Sequence, residues 1–145
     1  MLTVAEEDYT TNWFTLRKIV NQQNKKFSEK ALGNLALQLL VTIEHIHNHS
    51  IVHGSINLDN VVYNSQKSMV QYKLVNFENA RHLPTFTKLP RFSRKQENSP
   101  YISPELKAKD LDSFGVATDI WSLGMLIYTM LTGNFFNANE STNTS

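Results

Sequence analysis

The stretch IVHGSINLDNVVY, residues 51–63, decides how this chain is read. Ile51 and Val52 read as a buried strand, and Val61 and Val62 as the return of an apolar strand. Residues 53–60 are then a polar loop anchored at both ends, the setting in which an enzyme mounts reacting groups on a rigid frame. What stands there is unusual: Gly54, Ser55 and Asn57, with little that acts as a base at neutral pH.

Upstream, Ser28 reads as a helix N-cap with Phe27 as a staple before it. Apolar residues follow at Leu32, Leu35, Ala36, Leu39, Leu40, Ile43 and Ile46, which predicts a buried helix over 29–48 ended by the polar break at 48–50. Further back, residues 13–20 read as a short helix with Phe14, Leu16, Ile19 and Val20 on its apolar side. A short strand is expected at 2–5, an acidic turn at 6–8 and a polar, basic loop at 21–26.

Downstream, 61–63 and 72–75 read as two strands of a hairpin joined by NSQKS, with Leu74 and Val75 its buried end. A long irregular segment over 76–100 carries Pro84, Pro90 and Pro100, and its length marks it as functional or mobile. Ser103-Pro104-Glu105 suits a short helix start. The stretch DIWSLGMLIYTMLTG predicts a helix over 119–133, capped by Thr118 or Asp119 and stopped by Gly133. Its apolar residues run nearly all the way round, so it should be buried on most sides. The organisation is one domain over 1–136 and a polar tail over 137–145.

Composition narrows the function. The chain has 145 residues, enough for one core, and a hydrophobic fraction of 41%, which places it among ordinary globular proteins. A net charge of +1 argues against a nucleic-acid or membrane surface. The absence of cysteine excludes disulfides, thiolate catalysis and cysteine zinc sites. The beginning, MLTVAEEDYTTNW, is acidic where a signal peptide is basic and apolar, so an intracellular location, cytoplasmic or nuclear, is expected. The sequons at Asn48, Asn139 and Asn143 read as chance in an asparagine-rich chain.

Several stretches together resemble the protein kinase family. HGSINLDN (53–60) is similar to its catalytic loop, His-Arg-Asp-x-Lys-x-x-Asn, and KLVNFENA (73–80) to the strand ending in Asp-Phe-Gly. SPYISPEL (99–106) resembles the end of the activation segment, with Ser103-Pro104-Glu105 for Ala-Pro-Glu. The 119–133 stretch resembles the family's central helix, and 25–54 the helix leading into the loop. Order and spacing agree over residues 2–136. The wording is nearest the calmodulin-dependent-kinase-like branch, in which the Tribbles pseudokinases also carry Ser-Pro-Glu and a degraded metal motif. The resemblance implies a mainly α fold with a small β-hairpin (α+β). In family terms this is a partial C-lobe with its hinge, lacking most of the N-lobe and the last C-lobe helices.

The departures carry the functional expectation. The family's catalytic aspartate falls at Ser55, its loop lysine at Asn57 and its phosphate-pairing arginine at Gly54. The metal-binding aspartate falls at Asn76 and the motif glycine at Glu78. Asn60 keeps the family's residue as the second metal position. The resemblance thus implies degenerate catalytic positions at His53, Ser55, Asn57 and Asn60, degenerate metal positions at Asn60 and Asn76, and no bound ATP, magnesium or other cofactor. No Gly-x-Gly-x-x-Gly occurs. His53, Phe77, Glu105, Asp119 and Trp121 read as framework. The partner of Glu105 in the family is an arginine beyond this match.

Blander readings stand beside these. Asp119 also suits a simple N-cap. His45, His47, His49 and His53 invite a metal reading, but no carboxylate or cysteine set completes a site. Ser55 as a nucleophile needs a base and an orienter. Lys88, Arg91, Arg94 and Lys95 form either a docking patch for an acidic partner or phosphate, or a solvated loop face. Thr87, Ser93 and Ser99 are candidate phosphorylation sites. The expected function is a catalytically inactive kinase-like domain acting by protein binding, with a kinase, a kinase substrate or an adaptor as partner, and homodimerisation through the 119–133 flank as another route. A serine/threonine kinase fragment with residual ATP binding is the alternative enzyme reading. A non-functional gene relic or incomplete gene model is the third.

Overall fold

The computed structural model describes residues 12–23, 27–65 and 69–133. In chain order these form β1 (Phe14–Thr15), α1 (Leu16–Gln23), α2 (Glu29–Asn48), β2 (Ile51–Val52), β3 (Val61–Asn64), β4 (Gln71–Leu74), β5 (Arg81–His82), α3 (Arg94–Glu97), α4 (Pro104–Lys107) and α5 (Val116–Thr132). The strand expected at 2–5, the acidic turn at 6–8, residues 24–26 and 66–68, and the tail at 137–145 lie outside the described residues.

Helix α2 forms where its periodicity predicts. The Ser28 hydroxyl accepts the Ala31 N–H at 3.1 Å and so satisfies one of the helix's unpaired first-turn donors. Leu32, Leu35, Leu39, Ile43 and Ile46 are buried along one stripe. Leu40, expected on that stripe, instead faces outward with Leu37 and Val41. A helix lying against one layer hides a single stripe, and the intervening positions turn away from it.

Where a helix is expected from residue 13, the chain first makes a two-residue strand. Phe14 and Thr15 pair antiparallel with Tyr63 and Val62, and only then does α1 begin, burying Leu16, Ile19 and Val20. The open edge of β3 offers backbone partners that a helical turn at residue 14 would forgo. The hairpin forms as expected, with Val61 opposite Leu74 and Tyr63 opposite Tyr72; Leu74 is buried, while Val75 lies just past the strand and is half-buried. On its far edge the Gln38 amide of α2 donates to the Val70 carbonyl and accepts the Tyr72 N–H, both at 2.9 Å. One side chain thereby stands in for the next strand.

The segment over 76–100 is more structured than its prolines imply. β5 pairs antiparallel with β2, Ile51 opposite His82. Ser93 and Gln96 close α3 with a reciprocal capping box. Leu83, Phe86, Leu89 and Phe92 pack against a second small core of Val52, Ile102, Leu106 and Phe114. Apolar burial thus orders a stretch with little regular backbone pairing.

Helix α5 corrects the sequence reading twice. It starts at Val116 behind Gly115, so neither Thr118 nor Asp119 is its N-cap. Its buried face carries Thr118, Asp119, Ser122 and Thr129 beside Leu123, Leu126 and Met130, while Ile120, Trp121, Tyr128 and Leu131 are exposed. The polar residues turn inward because each finds a partner there. Ser122 Oγ donates to the Tyr101 carbonyl at 2.6 Å, Thr129 Oγ1 lies 3.1 Å from the Tyr101 hydroxyl, and Thr118 Oγ1 donates to Glu105 at 2.8 Å. Gly133 ends the helix as expected, at φ 73° with its N–H on the Thr129 carbonyl. Among the described residues no helix is long and apolar enough to cross a membrane.

The main core joins α1, α2, the hairpin and α5 through residues such as Leu39, Val61 and Leu126. Leu126→Ala, at a fully buried position, is expected to lower unfolding free energy by about 2–5 kcal/mol in urea titrations. Leu37→Ala on the exposed side of α2 should cost less than about 0.5 kcal/mol. Equal losses at the two positions would contradict this packing.

Candidate functional site

Residues 53–60 run from one sheet to the other: β2 belongs to the pair with β5, and β3 to the sheet with β1 and β4. The loop is less polar in effect than its sequence implies. Ile56 and Leu58 are buried and join the main core, pinning the loop at its middle. The Leu58 carbonyl accepts the Arg17 N–H at 3.0 Å, and the Asn60 carbonyl accepts the Val75 N–H at 2.9 Å.

Beneath the loop lies Asp119, fully buried. Its Oδ2 accepts the His53 N–H and its Oδ1 the Gly54 N–H, each at 2.9 Å. His47 Nε2 completes the set at 2.8 Å from Oδ2, and since a carboxylate only accepts, that nitrogen carries the hydrogen. Three donors from two segments thus converge on one carboxylate. His47 was legible only as one of several histidines. The sharper signal is its place four residues after Ile43 on the buried stripe of α2, where a polar side chain needs a partner.

His53 is buried and neutral. Burial pushes its pKa below the ordinary histidine value, outweighing the Val75 carbonyl and the Asp119 charge, which pull it up. Its Nδ1 accepts the Ser55 N–H at 3.2 Å, so Nε2 carries the hydrogen and donates to the Val75 carbonyl at 2.9 Å. Its ring meets Phe77 edge-on at 4.7 Å between centroids. Both ring nitrogens are engaged, and neither pairs with the Ser55 hydroxyl.

The other four positions that mark the site in sequence, Ser55, Asn57, Asn60 and Asn76, are brought together. Asn60 Nδ2 donates to the Ser55 carbonyl at 2.7 Å and lies 3.2 Å from Ser55 Oγ. Asn76 Nδ2 donates to Asn60 Oδ1 at 3.3 Å. Asn57 Oδ1 accepts the N–H groups of Asp59 and Asn60 at 2.9 and 3.2 Å, and its Nδ2 donates to the Ser55 carbonyl at 3.3 Å. The result is a network of neutral amides and one hydroxyl. The loop's one carboxylate outside it, Asp59, is held by Arg17 through two bonds of 3.0 Å, a fork-to-fork pair that the sequence did not disclose. That pair raises the Arg17 pKa against the opposing effect of burial.

Gly54 has φ +77°, and a Cβ built there would lie 3.0 Å from the Asn79 carbonyl oxygen and 3.1 Å from Pro90 Cγ. The remaining sequence-marked residues scatter around this centre. Glu105 pairs with Thr118; burial pushes its pKa up, but its own N–H and the Thr118 hydroxyl pull it below the usual value. Trp121 is half exposed and donates its indole N–H to the Pro100 carbonyl at 3.0 Å. The His45 and His49 rings meet at a tilt with centroids 4.7 Å apart, away from the pairings of His47 and His53. Among the described residues no group of three or more metal-ligating side chains converges. Ser93 Oγ caps α3 and Ser99 Oγ accepts the Tyr101 N–H at 3.3 Å, while Thr87 is exposed.

Two measurements check this geometry. Asp119→Ala strands the buried His53 and Gly54 N–H groups and is expected to cost about 3–5 kcal/mol, read from urea unfolding. For His53, the unfolded chain binds the extra proton near pH 6.5 while the folded chain takes it up only at lower pH. Stability should therefore fall as pH drops through that range, and His53→Asn should flatten the fall. A pH dependence unchanged in the variant would contradict the buried, neutral ring.

Comparison with known proteins gives a concordant result. A family model for the protein kinase domain matches residues 4–145. The chain is 31% identical over 114 residues to serine/threonine-protein kinase 17A of Oryctolagus cuniculus, covering 79% of this chain and 28% of that protein. It is 30% identical over 130 residues to serine/threonine-protein kinase D2 of Homo sapiens, covering 88% of this chain and 14% of that protein. Among solved structures, the Rad53 kinase domain with SCD2 superposes with a TM-score of 0.62 at 24% identity, over 82% of this chain and 39% of that one. The chain thus spans a minor part of the length of the curated relatives it matches. Helices with two small antiparallel sheets, superposing on part of a kinase domain, give a partial protein-kinase fold. The chain belongs to the protein kinase family.

Proposed function

We propose that this kinase-family chain does not transfer phosphate and acts by binding another protein. The observation that carries the reading is the closed network of Ser55, Asn57, Asn60 and Asn76. In a kinase, a loop carboxylate accepts the substrate hydroxyl proton, and a second carboxylate with an asparagine holds the magnesium ions. Here Ser55 carries no charge at neutral pH and Asn76 is an amide. Asn60 Oδ1, the oxygen that would face a metal, already receives the Asn76 N–H. Hard divalent cations call for charged oxygen ligands, and this donor set does not fit magnesium. Asp59 is committed to Arg17 and His53 is neutral with both nitrogens in use. Ser103-Pro104-Glu105 together with a degraded metal motif is a combination that the chain has in common with Tribbles pseudokinases. The partner in this reading is a kinase, a kinase substrate or an adaptor.

The opposing reading is a serine/threonine kinase segment with residual nucleotide binding, and its support is that the chain's relatives include serine/threonine kinases. A thermal melt of the full 145-residue chain decides between them. Nucleotide with magnesium at a hundredfold above its dissociation constant stabilises by about 2.7 kcal/mol, a shift of several degrees. The expectation is no shift with ATP and magnesium and no transfer of labelled phosphate to a generic peptide. A magnesium-dependent shift, or any transfer, would sink the proposal.

A further inference from the structure

Away from the loop, the segment at 87–92 and helix α4 with its following turn enclose a cleft of about 680 Å³. Its floor is apolar: Leu89, Phe92, Ile102 and Leu106 belong to the second core, and Leu111 adds an exposed apolar edge. Its rim is basic. Lys88 and Arg91 stand on one wall and Lys107 and Lys109 on the other. Among the described residues the one carboxylate lining the cleft is Glu97, 3.8 Å from Lys109. Lys88, Arg91 and Lys107 make no side-chain hydrogen bond or ion pair among the described residues. One wall is also preset, because the Arg81 guanidinium donates to the Lys88 carbonyl at 2.8 Å and the Leu89 carbonyl at 3.1 Å.

We infer that this cleft is a docking site for an acidic peptide segment of a partner protein, seated by an apolar side chain and flanked by carboxylates. Cations on both walls ask for negative charge along both flanks of the occupant, which a run of aspartate and glutamate supplies better than one phosphate. The apolar floor asks for a side chain with no charge, which a nucleic-acid backbone lacks. A wall held by backbone-directed bonds needs little reordering on binding, so less of the contact energy is spent on ordering. The inference rests on the binding role proposed above and not on the silence of the loop, which the nucleotide measurement decides separately.

The test uses the 145-residue chain and a fluorescein-labelled dodecapeptide with two adjacent leucines between runs of glutamate and aspartate. Anisotropy should show saturable binding that weakens as sodium chloride is raised from about 50 to about 300 mM. Arg91→Glu combined with Lys107→Glu, both exposed, should weaken it about tenfold or more while leaving the melting transition in place. Replacing the leucines by serine should weaken it comparably. Absence of binding overturns the inference, as does binding insensitive to the charge reversal. So does binding seen only with a phosphoserine version of the peptide or with a single-stranded oligonucleotide.

Discussion

The structure around the loop depends on one buried carboxylate. Asp119 gathers the N–H groups of His53 and Gly54 and the ring N–H of His47, tying the end of α2, the start of the loop and the first turn of α5 to a single point. The two backbone donors are buried, and each would cost free energy if left unpaired. A charge is tolerable in that interior because three donors share it. The same contact explains why α5 turns a polar face inward. Once Asp119 is committed to the loop, Ser122 and Thr129 follow on the same face and must find partners, which Tyr101 supplies.

From that point outward the loop is overdetermined. Its first residues hang on Asp119, its middle is pegged by Ile56 and Leu58, its exposed acid is clamped by Arg17, and its last residue bonds to Val75. Such a loop is held by several independent contacts at once. The side chains at the family's catalytic positions belong to the same frame: His53 Nδ1 accepts the Ser55 N–H, Asn57 Oδ1 accepts the N–H groups of Asp59 and Asn60, and Asn60 Nδ2 donates to the Ser55 carbonyl.

Much of this was legible in the chain. The 3.6-residue stripe of α2, its Ser28 cap, the loop between two apolar strands and the Gly133 stop all follow from local pattern and have local causes. What escaped has non-local causes. Residues 14–15 become a strand because β3 presents an edge, and Arg17 meets Asp59 across 42 positions of sequence. The start of α5 was misplaced because Thr118 and Asp119 are good capping types whose side chains are claimed by Glu105 and the loop instead. The order in 76–100 was hidden by prolines and charges, yet Leu83, Phe86, Leu89 and Phe92 recur every third residue, a stripe that needed its partner surface to be recognised.

Gly54 limits what the start of the loop can hold. It stands where kinases carry arginine, its backbone is left-handed, and the space a side chain would enter is taken by the Asn79 carbonyl and the Pro90 ring. Any replacement there meets unfavourable torsion and a close approach to backbone that cannot swing aside like a flexible side chain. A side chain placed at 54 alone would therefore strain the loop unless residues 79 and 90 shifted with it, so this position is coupled to the segment that follows the hairpin.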